Sequence, residues 1–216
     1  MPSIAVVGGT GHLGKAIARR LVKAGHAVSI GSRLAESAAQ TAAEQGALAS
    51  GTNAEVVSNK DFVIVTVPHS AQAATLEDIR PHIGGAIVVD TTVPLVPPKV
   101  MRVQLPASGS AAMDARALLG PDVRLVSGFH NVAAHVLDTD RTVECDVLVF
   151  SDDVEARAAV VGLVGEMGMR GLAGGALANS AAAEALTSIL IYMNKTYSAD
   201  GAGIRFTGLT TAPPLP

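Results

Sequence analysis

The stretch Ile4-Ala5-Val6-Val7-Gly8-Gly9-Thr10-Gly11-His12-Leu13-Gly14-Lys15 sets the fold class. Four apolar residues in an unbroken run read as a parallel strand buried on both faces. Glycines follow at the spacing Gly9-x-Gly11-x-x-Gly14, and Ala16, Ile17, Leu21 and Ala24 then recur on one helical face. A glycine loop between a strand and a helix is the setting in which this spacing holds a dinucleotide. The first glycine makes the tight turn, the second lets the backbone approach a pyrophosphate, and the third lets the helix pack on the strand. The helix N-terminus adds free amides and partial positive charge. His12 can donate to phosphate, although its backbone amide suffices.

The next strand, Ala27 to Ile30, ends at Gly31-Ser32-Arg33. A site for NAD places Asp or Glu there to accept from the ribose 2′-hydroxyl. Here the next acid is only Glu36, while Arg33 can pair with a 2′-phosphate and Ser32 can donate to it. The sequence therefore favours NADP.

Beyond these strands the chain continues to alternate. Leu34 to Gln45 reads as a helix stopped by Gly46, and Ala47 to Ala49 as a weak strand. Asn53 is a candidate cap for a short helix to Ser58. Asp61 to Val67 is the strongest strand, closed by Pro68, with Ser70 as a candidate cap for a helix to about Arg80. Strands follow at Ala86–Asp90, Val123–Ser127, Asp146–Phe150 and Met169–Leu172. Helices are expected at Ala111–Leu119, Val154–Met167 and Leu177–Tyr197, and a short terminal strand at Ile204-Arg205-Phe206. This is an α/β chain: a Rossmann-type, doubly wound, mostly parallel sheet with a small C-terminal helical and strand appendage. The expected division is 1–135 for nucleotide binding and 136–209 as a small α/β portion that completes the second-substrate site and a dimer contact. Residues 210–216 are expected to form a disordered tail.

Composition narrows the function classes. The 216 residues carry a net charge of −3, 49% hydrophobic residues, 22 glycines and six aromatics, none of them tryptophan. That balance fits a folded core and excludes disorder. It offers nucleic acid neither a basic surface nor stacking rings. No apolar run is long enough for a membrane span, and Met1-Pro2-Ser3 shows no secretory n-region. The single Cys145 excludes an internal disulfide framework and a multi-cysteine metal site, and fits a reducing cytoplasm. His130 and His135 lie at a spacing unsuited to sharing a metal on a helix, so no metal site is expected.

Two families of related fold lack their apparatus here. Short-chain dehydrogenases need Tyr-x-x-x-Lys; Tyr192-Met193-Asn194-Lys195 is one residue too short. Hydroxyacid dehydrogenases need a catalytic lysine in a long helical second domain, and only Lys99 and Lys195 lie past residue 60. The chain instead resembles the NADPH:coenzyme F420 oxidoreductases. The resemblance runs through Val7 to Lys15, Gly25-His26, Gly31-Ser32-Arg33, Val65 to Pro68, Val93-Pro94-Leu95 and Val126 to His130. It resumes at Leu177-Ala178-Asn179-Ser180 with Glu184-Ala185-Leu186-Thr187 and ends at Gly203-Ile204-Arg205-Phe206.

The resemblance implies hydride exchange between NADP and a deazaflavin co-substrate, coenzyme F420. It implies that Thr10, Gly11, His12 and Leu13 line the pyrophosphate within the cofactor-binding loop that Gly9 and Gly14 bound, and that Ser32 and Arg33 hold the 2′-phosphate. Pro68, His69, Val93 and Ala134 would follow the path from adenosine to nicotinamide. The deazaflavin would lie near His130 and the start of the late helix. Ser37 stands where relatives can carry a basic residue, and His69 where one can carry tryptophan.

Such a transfer needs no nucleophile and no metal, so no indispensable acid–base residue is expected. His130 is a candidate only for positioning substrate, against a loop histidine satisfied by backbone. On the late helix, Leu186, Ile189, Leu190, Met193 and Tyr197 form an apolar stripe that reads as core packing and a homodimer contact together. Asn179 and Ser180 read either as that helix's cap or as cofactor contacts. Competing readings are a reductase of the same fold with a flavin, iron chelate, imine or keto acid as acceptor, and a non-catalytic NADP sensor.

Overall fold

A computed structural model describes residues 1–209; the expected tail at 210–216 lies outside the described residues. Strands β1 (Ser3–Val7), β2 (Ala27–Ser32), β3 (Ala49–Thr52), β4 (Phe62–Val65), β5 (Ile87–Asp90), β6 (Arg124–Gly128), β7 (Asp146–Phe150) and β8 (Arg170–Ala173) form one sheet. Their order is β3-β2-β1-β4-β5-β6-β7-β8. Neighbours are parallel except for β6 and β7, which meet only at Ser127↔Phe150 and Gly128↔Val149. Segment 136–209 thus contributes β7 and β8 to the sheet begun by residues 1–135.

The helices are α1 (His12–Lys23), α2 (Ala35–Gln45), α3 (Asn53–Val56), α4 (His69–Ile79), α5 (Ala111–Leu119), α6 (Ala134–Leu137), α7 (Val154–Glu166) and α8 (Ser180–Tyr197). Alternate residues of each central strand feed opposite faces. Ile4 and Val6 pack with Ile17, Leu21 and Ile30 on one side, and Ala5 and Val7 with Val63, Val65 and Leu76 on the other. Both faces are therefore covered, which explains why β1, β4 and β5 read as continuous apolar runs.

Several local expectations are corrected. The third strand lies at Ala49–Thr52, later than Ala47–Ala49, because this polar edge strand carries no apolar signal and takes its register from β2 through Ser29↔Ala49 and Ser32↔Thr52. Asn53 does not cap the short helix. Thr52 does, in a reciprocal capping box with Glu55, which frees the buried Asn53 side chain for another use. Ser70 lies inside α4, whose N-cap position is held by Pro68 in extended geometry. The late helix begins with a separate tight turn at Leu177–Asn179; Asn179 holds the N-cap position of α8 without a side-chain capping bond, and Ser180 is the first residue of the helix.

Residues 204–206 form no strand. They hook onto β7 instead: the Asp146 N–H donates to the Ile204 carbonyl at 2.7 Å, and the Phe206 N–H donates to the Asp146 carboxylate at 2.6 Å. The face of α8 turned to the core carries Ser180, Ala183, Glu184 and Ser188. Ile189, Tyr192, Met193 and Tyr197 are exposed, so much of the apolar stripe does not pack into this chain's core.

Candidate active site

β1 delivers its chain to the carboxyl edge of the sheet, between β2 and β4, where the direction of winding reverses. Open α/β sheets bind ligands at such a point. Gly8 turns with φ +70°, and its N–H donates to Asn53 Oδ1 at 3.1 Å, so the freed Asn53 braces the loop from α3. The Gly9 N–H donates to the Gly31 carbonyl at 2.9 Å. A Cβ at Gly14 would stand 2.6 Å from Thr66 Oγ1 and 2.7 Å from Gly9 Cα, so this glycine is required for helix–strand contact.

Gly11 differs. It is exposed, and the nearest atom to a Cβ there would be the Gly8 oxygen at 3.5 Å. Nothing in the protein demands glycine at that position, which leaves the open side for a close-approaching ligand. The first helical bond of α1 runs from the Lys15 N–H to the Gly11 carbonyl, so the preceding amides of the first turn have no intrahelical partner. The first turn carries no acidic residue. A pyrophosphate fits this loop on both counts.

At the end of β2 the Ser32 hydroxyl is buried, 3.5 Å from the Thr10 hydroxyl, and accepts from the Leu34 N–H at 3.4 Å. Arg33 beside it is exposed and Ser37 half-buried. Thr10, Ser32 and Arg33 thus lie together at the carboxyl ends of β1 and β2. At the end of β4, Thr66 donates to the Val7 carbonyl at 2.8 Å, and Pro68 and His69 follow at the head of α4. Val93, half-buried, follows the end of β5.

The end of β6 is built from side chains. Phe129 adopts φ +65°, a conformation costly for a bulky residue. His130 is buried, with Nε2 2.9 Å from the Ser127 hydroxyl and Nδ1 buried without a partner. Its partner is therefore a side chain, and not the backbone that the loop-histidine reading supplied. Burial holds its pKa down at about 4, so the ring is neutral near pH 7. Asn131 Nδ2 donates to the Ala183 carbonyl at 2.8 Å and to Thr187 Oγ1 at 3.2 Å, and Thr187 donates to the His130 carbonyl at 2.9 Å. α8 therefore fixes this turn from behind.

The sequence-derived site residues converge on this edge of the sheet: Gly9 to Gly14, Ser32, Arg33, Pro68, His69, Val93 and His130 all lie at or just past the carboxyl ends of parallel strands. Ala134 opens α6 and lines a cavity of about 420 Å³ with His12, His135 and Asp138. On the other flank of α6 lies a cavity of about 610 Å³, walled by Val132, Val136, Cys145, Gly201 and Ile204, with Arg141 and Arg205 also lining it. Reading the sequence missed this second cavity, although Gly203-Ile204-Arg205-Phe206 was a visible motif. A Cβ at Gly203 would run into Cys145, so the motif keeps the terminal segment tight against β7. Among the described residues no cluster of His, Cys, Asp or Glu is arranged to hold a metal.

Residues 3–94 match the family described as NADP oxidoreductase, coenzyme F420-dependent. An F420-dependent NADP reductase of Methanocaldococcus jannaschii is 36% identical to the chain, over 95% of it and 98% of that enzyme. One from Methanothermobacter thermautotrophicus is 34% identical over 95% of each. Among solved structures, a protein of Arthrobacter sp. FB24 described as an F420-dependent NADP-reductase superposes with a TM-score of 0.84 at 22% identity, covering 96% of this chain and all of that one. That last likeness establishes the fold.

Proposed function

The chain belongs to the family of coenzyme F420-dependent NADP oxidoreductases, and on that premise we propose that it transfers a hydride between NADP(H) and coenzyme F420. The observation that carries the reading is full-length similarity to enzymes of that activity, joined to a glycine loop whose open side at Gly11 suits a pyrophosphate.

Gly9 to Gly14 hold the pyrophosphate through backbone amides. Ser32 and Arg33, with Thr10 beside them, hold the 2′-phosphate. Pro68, His69, Val93 and Ala134 flank the path to the nicotinamide, and the deazaflavin lies over it, near His130 and the start of α8. Bound together, the two coenzymes supply the hydride-donating and hydride-accepting carbons. The protein's task is to hold those carbons ~3–3.5 Å apart and exclude water, which can lower a barrier by ~7–11 kcal/mol in favourable cases. His130, neutral and buried, shapes that space without carrying a proton.

Among the described residues no helix is long and apolar enough to cross a membrane; a cytoplasmic enzyme is part of this reading. So is a homodimer, its contact formed by the exposed face of Ile189, Tyr192, Met193 and Tyr197. The test is NADPH oxidation by the purified protein with F420, and with flavin, ferric chelate, imine and keto acid as competing acceptors. Turnover with F420 at least about tenfold above the others supports the reading; turnover confined to another acceptor, or NADPH binding without any turnover, overturns it.

A further inference from the structure

Asp90, at the end of β5, and Glu184, in the second turn of α8, are buried carboxylates for which no ligand-facing role accounts. Asp90 Oδ1 accepts from the Thr92 hydroxyl at 2.6 Å and from its N–H at 3.2 Å, closing a turn directly before Val93. Asp90 Oδ2 accepts from Gln72 Nε2 at 2.6 Å, and the same amide nitrogen donates to the Ala111 carbonyl at 3.1 Å. Gln72 lies in the first turn of α4, the turn that begins with His69.

From Ala111 the network crosses to α8. The Ala111 and Ala112 N–H groups donate to Glu184 Oε2 at 2.7 Å and Oε1 at 3.1 Å. Ser180 donates to Ser110, whose hydroxyl caps α5 by accepting from the Met113 N–H. One turn beyond Glu184, Thr187 holds the His130 carbonyl. Largely buried hydrogen bonds therefore join the turn before Val93, the head of α4, the head of α5 and α8, and the α8 backbone carries the connection on to Thr187 and the His130 turn.

Two buried carboxylates are an expensive way to join helices. Well-packed apolar residues of similar volume stabilise a core as well or better, whereas a satisfied polar network specifies one geometry. The elements specified here are the two walls between which the coenzymes would meet. We propose that Asp90 and Glu184 are positioning residues for hydride transfer: through Thr92, Gln72 and Ala111 they fix the nicotinamide wall at Val93 relative to the deazaflavin wall carried by the His130 turn and α8. The proposal rests on the hydride-transfer reading above.

The test compares Thr92→Val, Thr92→Ser and Glu184→Gln with the wild type, measuring kcat and KM for both coenzymes, NADPH affinity by fluorescence and the thermal midpoint. Misplacing reacting carbons by a fraction of an ångström should lower kcat about ten- to a hundredfold in Thr92→Val and Glu184→Gln. NADPH affinity should stay within about threefold in the same variants, since the phosphate loop is untouched. Thr92→Ser, which restores the hydroxyl, should return kcat to within about threefold. An active wild type whose variants melt lower but keep kcat overturns the positioning role alone. So does a Thr92→Ser variant as slow as Thr92→Val, and this pair remains readable if Glu184→Gln fails to fold. A wild type that transfers no hydride to F420 instead overturns the reading on which the proposal rests.

Discussion

Around β1 and β2 the site is made of backbone: a glycine loop, a helix N-terminus and two small hydroxyls, with Arg33 the one long side chain. Around β5, β6 and α8 it is made of buried side chains that reach across the fold, Asp90 to Gln72, Glu184 to the head of α5, Asn131 and Thr187 to one another. A phosphate carries charge and accepts hydrogen bonds from any direction, so preorganised amides suffice to hold it. A hydride moves between two carbons at one separation, so the second region must fix distance, and interlocked side chains do that better than a loop. The two regions should therefore fail differently when altered, the first in affinity and the second in rate.

The largest effect expected is from Gly14→Val, whose side chain would collide with Thr66 and Gly9. NADPH affinity should fall by about a hundredfold or more, equivalent to ~2.8 kcal/mol, with a lower thermal midpoint. Gly11→Ala sharpens the point: its Cβ makes only ordinary van der Waals contact with the protein, so calorimetry should find the midpoint little changed while NADPH affinity drops about tenfold. Equal loss of stability in both variants would break the assignment of Gly11 to the ligand. Next comes Arg33→Asp, measured by titration with both nucleotides. Losing a charge-assisted contact should weaken NADPH about ten- to a hundredfold and NADH by less than about threefold. Equal losses for both would remove Arg33 from the 2′-phosphate.

The first region was legible in the sequence because its determinants are local. Glycine spacing, the strand before it and Ser32-Arg33 after the next strand all lie within one stretch of chain, and the structure brings them to one edge. The second region was legible only as motif. Asn179-Ser180 and Glu184-Ala185-Leu186-Thr187 could be quoted, but Glu184 meets Ala111 and Thr187 meets His130 across sequence separations of 73 and 57 residues. No periodicity encodes such a contact. α8 misled for a related reason: its apolar stripe looks like core, yet the core side is the small and polar one. Asn53 and Ser70 show the same limit at short range, since a capping residue type does not say which of two neighbours caps.

Smaller effects follow from the buried carboxylates. Burial pushes Asp90 up to about 6 and Glu184 up to about 7, with Asp90's charge adding to the rise at Glu184. The native state thus holds protons that the unfolded chain releases near pH 4. These groups consequently cost stability as pH rises from about 4 to about 7. Asp90→Asn and Glu184→Gln should each flatten that part of the pH–stability curve measured by chemical denaturation; an unchanged slope would contradict the shifts. The smallest effect is expected from His130. With its pKa held down near 4 by burial, it should contribute no inflection to the rate of hydride transfer between pH 5 and 8. An inflection that His130→Asn abolishes would make it a proton carrier and blur the contrast between the two regions.

The most direct measurement is isotopic. NADPH carrying deuterium at the transferable C4 position is mixed with F420 and the purified protein in ordinary water, and the reduced deazaflavin is analysed by mass spectrometry. Direct transfer between facing carbons predicts one deuterium retained on the deazaflavin ring. A reduced deazaflavin bearing only solvent hydrogen, or none formed at all, would contradict the account.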